Sequence, residues 1–152
     1  MTTRKMRRLK AFFMVAAVLA AFQQAQAQGP CDRVSEIKVL PFKGEPVDDD
    51  AYNDLVAAGE SAIPCLISTV TDARKMRDPR QAPGYAGIQT RVGDVAFFML
   101  WHITKIDLVQ MLPARVQRDF KDEGMYAYFK FVRKQRNREW LQRRLESWYR
   151  SR

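Results

Sequence analysis

One histidine, two cysteines and 17 acidic residues are the side chains of this chain that could do chemistry. His102 has the ring for a general base or a metal ligand. However, there is no second histidine, and neither a Glu-x-x-His pattern nor a thiolate pair accompanies it. Its setting in an apolar run predicts a satisfied, partly buried core histidine instead. Carboxylate catalysis needs two acids that converge across a cleft. The pairs to weigh are Asp94 with Asp107 and Asp122 with Glu123. Adjacent carboxylates on a helix point in different directions, and no spacing here demands convergence, so no catalytic residue is assigned and no enzyme is expected. Asp48-Asp49-Asp50 could open a calcium loop, but the alternating oxygen ligands and glycine turn of such a loop do not follow. Three aspartates before AYNDLVAAG read instead as a helix N-terminus, where free amides and the dipole favour anions. No metal or cofactor is expected.

Cys31 and Cys65 are too far apart in sequence for a C-x-x-C redox motif, so disulfide exchange is not supported. Their redox state depends on compartment. Arg4, Lys5, Arg7, Arg8 and Lys10 form a basic start, followed by the uncharged run AFFMVAAVLAAF and then Ala25-Gln26-Ala27. That order is the pattern of a secretory signal peptide over residues 1–27, with cleavage after Ala27. An uncleaved anchor is the alternative, although the apolar run is well short of the roughly 20 residues that span a bilayer. The expectation is an exported chain, periplasmic or extracellular, with no transmembrane segment after processing. In an oxidising compartment the two cysteines predict one disulfide; a free, buried Cys65 is the alternative.

Processing also changes the charge arithmetic. The whole chain carries 26 basic and 17 acidic residues, a net of +9. Residues 28–152 keep 21 basic and 17 acidic, a net of +4. Residues 28–72 are acidic, with 3 basic and 9 acidic side chains, whereas 73–152 carry 18 and 8. The chain is an electrostatic dipole along its sequence. Outside the cytosol nucleic acid is not expected as a partner.

The elements that must position these groups are helices. Residues 28–47, interrupted by Pro41 and Pro46, predict an extended N-terminal arm or short edge strand. Residues 48–152 follow as a helical domain. Tyr52, Leu55 and Val56 give a first helical spacing that Gly59 ends. Ile63, Leu66, Ile67 and Val70 form an i, i+3, i+4, i+7 stripe, with Pro64 tolerated only in the first turn. Residues 73–90 hold two prolines, two glycines and four basic residues, and predict a long basic surface loop. RVGDVAFFMLWHITKID is apolar nearly all round and predicts a central buried helix, with Asp94 placed to cap or pair. Further on, Tyr126, Phe129 and Val132 share a helical spacing, and Leu141, Leu145 and Trp148 make a final stripe.

Gly59, Ala62-Ile63-Pro64, Leu66-Ile67, Val70 and Asp72 resemble the second helix of a HEAT-like α-helical repeat: small residue, alanine, apolar, proline, leucines and a closing aspartate. GDVAFFMLWHITKID is similar to the first helix of a following unit. The resemblance covers residues 51–107 and departs from the family in the Pro/Gly loop and the irregular second half. It implies an all-α fold, compact and built around a HEAT-like helix pair, and a non-catalytic scaffold that binds proteins on exposed faces.

Compartment, charge and the lack of a chemical centre together predict a small exported protein-binding domain, of the inhibitor or immunity type. Its expected contact residues are Arg74, Lys75, Arg77, Arg80 and Tyr85 in the loop, with Arg133, Lys134, Arg136, Arg138, Arg143 and Arg144 in the basic C-terminal stretch. The second expectation is that this stretch binds anionic envelope lipids or polymers, with steep salt dependence.

Overall fold

A computed structural model describes residues 29–41, 47–80 and 88–152. Among the described residues six α-helices carry the fold: α1 Asp50–Ala58, α2 Ile63–Thr69, α3 Val92–Thr104, α4 Ala114–Glu123, α5 Met125–Val132 and α6 Gln135–Arg150. Short 3-10 turns at Gly59–Ala62 and Leu108–Met111 join them. No strand forms among the described residues; two isolated bridges, Leu40 with Arg80 and Lys75 with Arg91, are the sum of the extended pairing. The signal peptide expected over residues 1–27 lies outside the described residues.

Among the described residues of the N-terminal arm, Ile37 to Pro41 run extended and Pro30–Glu36 winds into a 3-10 helix, which corrects the expectation for that segment. The winding turns Val34 and Ile37 into the core, where both are buried. Cys31 is bonded to Cys65 of α2, 34 residues away, with Cα atoms 5.9 Å apart. Asp49 completes the attachment. One carboxylate oxygen accepts the Lys38 and Val39 amides at 2.6 and 2.9 Å, and the other caps α1 by accepting the Tyr52 amide at 3.1 Å. Burial opposes its ionisation, but the surrounding amides outweigh burial and hold its pKa below the ordinary aspartate value. The middle aspartate is therefore both cap and staple.

Gly59 ends α1 at φ 54°, a conformation that costs glycine little. Pro64 sits in the first turn of α2, as its missing amide requires. Helix α3 crosses α2 at contact distance because residue 93 has no side chain. A Cβ there would lie 2.3 Å from the Val70 carbonyl oxygen. Carbonyls of the preceding segment cap this helix start: Arg74 accepts from Val92 and Asp72 from Gly93, each at 3.0 Å. Val95, Ala96, Phe97, Met99 and Leu100 are buried, so α3 is the central helix. In α5 the buried face is Ala127, Tyr128 and Val132; of the expected stripe Val132 is buried and Phe129 half-buried, while Tyr126 is exposed. The Tyr128 ring stacks on Phe97 at 4.9 Å.

Candidate functional site

His102, Asp94, Asp107 and Glu123 each bond within the fold. His102 is buried, and its Nδ1 lies 3.1 Å from the Tyr52 hydroxyl. Burial, reinforced by the Lys105 charge, pushes its pKa down to about 4, so the ring is neutral at pH 7. Asp94 is wholly buried. Its Oδ2 accepts the Arg91 amide at 2.9 Å, and its Oδ1 accepts Tyr128 Oη at 3.0 Å and Arg138 Nη2 at 2.8 Å. Asp107 stands beyond the other end of α3 and caps a 3-10 turn through the Val109 amide. Glu123 accepts two hydrogen bonds from Lys130 at 2.8 Å. Asp94 and Asp107, bonded at opposite ends of α3, therefore do not converge.

A cleft of 460 Å³ opens between the N-terminal 3-10 helix, the start of α1 and the segment at Met76–Arg77. Charged side chains of both signs line it, among them Arg33, Glu36, Asp48 and Arg77. Arg33 already pairs with Glu36 and Asp54.

The basic residues divide into three groups. In the loop, Arg74 is exposed but bonded to Asp72, and Lys75 and Arg77 are exposed. Arg80 turns inward: it bonds Asp78, and its guanidinium lies 5.6 Å from the Phe98 ring centre and 4.6 Å from that of Phe129. It is thus part-buried against α3 and α5, whereas its loop neighbours Lys75 and Arg77 are exposed. Tyr85 lies outside the described residues.

Arg138 is a correction to the expected contact residues. It is 1% exposed, and besides Asp94 it donates to the Val70 carbonyl at 3.3 Å. Beside it, Gln135 donates to the Thr71 carbonyl at 3.0 Å. The first turns of α6 thus close the C-terminal end of α2. Arg138 is three residues from Leu141 and seven from Leu145, on the same helix face as both. That register carries it inward, where only a charge partner such as Asp94 makes burial tolerable.

Arg133, Lys134, Arg136, Arg143 and Arg144 are all exposed. Helix α6 carries two opposed seams of 3–4 spacing. Arg138, Leu141, Leu145 and Trp148 face the domain, with both leucines fully buried. Arg136, Trp140, Arg143, Ser147 and Arg150 face outward, each exposed, with Arg144 on one flank and Glu139 and Glu146 on the other. Trp140 is 37% exposed and set edge-on against Phe131, ring centres 5.9 Å apart. Among the described residues, none of these outward arginines makes an ion pair within 4 Å. Trp140, Ser147 and Arg150 were not singled out from sequence. Their signal was present as the heptad-like complement of the Leu141 stripe.

No protein-family model, curated protein or solved structure matches this chain. No helix among the described residues is long and apolar enough to cross a membrane.

Proposed function

We propose that this is an exported, non-catalytic protein-binding domain that docks an acidic partner on the outer face of α6. The carrying observation is the exposed seam of Arg136, Trp140, Arg143 and Arg150, which has no acidic partner among the described residues. Tryptophan and arginine are the residues that most often carry binding energy at protein interfaces, and a tryptophan ringed by arginines suits an apolar contact within an acidic surround. The Cys31–Cys65 bond supports an oxidising compartment. The HEAT-like reading of 51–107 belongs to the same proposal, with α1 and α2 as the pair and α3 as the start of the next unit. An inhibitor or immunity role is the version that compartment and size favour.

Binding to anionic lipid is the less favoured reading. A helix that lies in a membrane interface must offer an apolar face to the acyl chains, and that face of α6 is spent on the domain core. The test is capture from an envelope extract by the wild-type chain and by an Arg143→Glu/Arg150→Glu variant. The proposal expects a discrete protein retained by the first and lost by the second. Equal retention by both removes α6 as the docking face.

A further inference from the structure

We infer that the partner presents an α-helix, with acidic side chains at 3–4 spacing, laid along α6. This rests on α6 being the docking face and adds the form of what docks. Arg136, Trp140, Arg143, Ser147 and Arg150 recur at steps of four, three, four and three residues. Any exposed helix face recurs at these steps; what is particular here is that the arginines fall seven residues apart, at 136, 143 and 150, the repeat by which one helix registers on another. With a rise of 1.5 Å per residue the seam is about 21 Å long, with contact points about 5 Å apart.

A second helix carries side chains at the same pitch, so each basic position meets an acidic one along the whole seam. An extended strand shows same-face side chains about 6.8 Å apart and falls out of step within three contacts. A disordered acidic tail or a lipid surface supplies charge without any pitch. Trp140 interrupts the arginines at the second position, held edge-on by Phe131, and calls for one apolar residue among the partner's acids. Glu139 and Glu146, seven residues apart on one flank, fix the direction in which a helix with basic residues on its matching flank can lie.

A second copy of this chain fits less well. Its acidic helix α1 has only 9 residues and shows Asp50 and Asp54 outward, and Asp54 is already paired with Arg33.

The probe is a synthetic 21-residue helical peptide with glutamates at 3–4 spacing and one leucine in the seam. A scrambled peptide of identical composition is the control. Binding of each to the disulfide-bonded protein is measured by fluorescence anisotropy, beside phosphatidylglycerol vesicles and a sedimentation run of the protein alone. The expected result is at least tenfold tighter binding of the seam peptide than of the scrambled one, with loss of that margin in Trp140→Ala. Equal binding of the two peptides that still depends on Arg143 and Arg150 overturns the helical partner and leaves α6 as the docking face. Binding of neither peptide, with tight binding to vesicles or concentration-dependent self-association abolished by Arg143→Glu, overturns both.

Discussion

Arg138 Nη2 and Asp94 Oδ1 form a 2.8 Å ion pair between residues 44 positions apart, with both side chains almost completely removed from solvent. The pair ties the start of central helix α3 to the start of α6. Through Val70 it also reaches the end of α2, and through Tyr128 it reaches α5. Together with the buried Leu141 and Leu145 on the same face it sets the azimuth of α6, and so which of that helix's arginines face outward. The buried cation thereby helps to set the geometry of the exposed ones.

Removing one member should cost far more than removing both. Arg138→Met leaves the Asp94 charge buried without its cation, a loss of about 3–5 kcal/mol. The double variant Asp94→Asn/Arg138→Met should recover at least half of it. Urea unfolding of the two singles and the double gives the coupling directly; additive losses would mean that the pair contributes nothing as a pair.

Gly93→Ala should destabilise although alanine is the better helix former. The added methyl would sit 2.3 Å from a backbone oxygen, so helices α2 and α3 must separate. The cost is about 1–3 kcal/mol, as for other overpacked sites. An unchanged unfolding midpoint would show that the crossing can widen freely.

Reducing the Cys31–Cys65 bond should lower stability by roughly 3–4 kcal/mol, the chain-entropy value for a loop of this length. Because Val34 and Ile37 are buried by the segment it anchors, early proteolysis should fall within residues 29–41 after reduction. Cleavage elsewhere first would place the weak point in another element.

Stability should fall on acidification before the carboxylates titrate. His102 has a pKa of about 4 when folded, against 6.5 in an unfolded chain, so below pH 6.5 the unfolded state binds the extra proton. Its contribution is complete above pH 6.5 and is lost as pH falls toward 4, by up to about 3 kcal/mol. His102→Gln should flatten the stability profile between pH 6.5 and 4.5; a wild-type profile flat in that window would contradict the neutral, buried ring. Below it Asp49 adds a second loss in the same direction, because its depressed pKa also favours the folded state only while it is ionised.

Much of the helical order was legible in the residues because local rules agreed with burial. Asp49 and Asp50 opened α1, Gly59 closed it, Pro64 fell in a first turn, and the Leu141/Leu145 stripe faced the core. Three features were not legible, each for a stated reason. The 3-10 turn at Pro30–Glu36 forms because a disulfide and Asp49 hold it against α1 and α2, constraints remote in sequence. Arg80 and Arg138 read as solvated charge because composition treats all arginines alike. What draws Arg138 into the core is a partner 44 residues away, and what draws Arg80 partly inward is two aromatic rings. In the α5 stripe Val132 faces the core as expected but Tyr126 does not, because Tyr126 and Tyr128 are interchangeable by hydropathy. Only Tyr128 meets Phe97 and the Asp94 carboxylate.

The docking face on α6 is tested most directly by position-specific photo-crosslinking in an envelope extract. One photoreactive residue replaces Ser147 in the outward seam; another replaces Asn53, exposed on α1. Both positions lie on the surface, so each variant should retain wild-type stability within about 0.5 kcal/mol. The proposal predicts a discrete crosslinked protein from position 147, abolished by Arg143→Glu, and none from position 53. A crosslink from 53 alone, or from both regardless of Arg143, would contradict it.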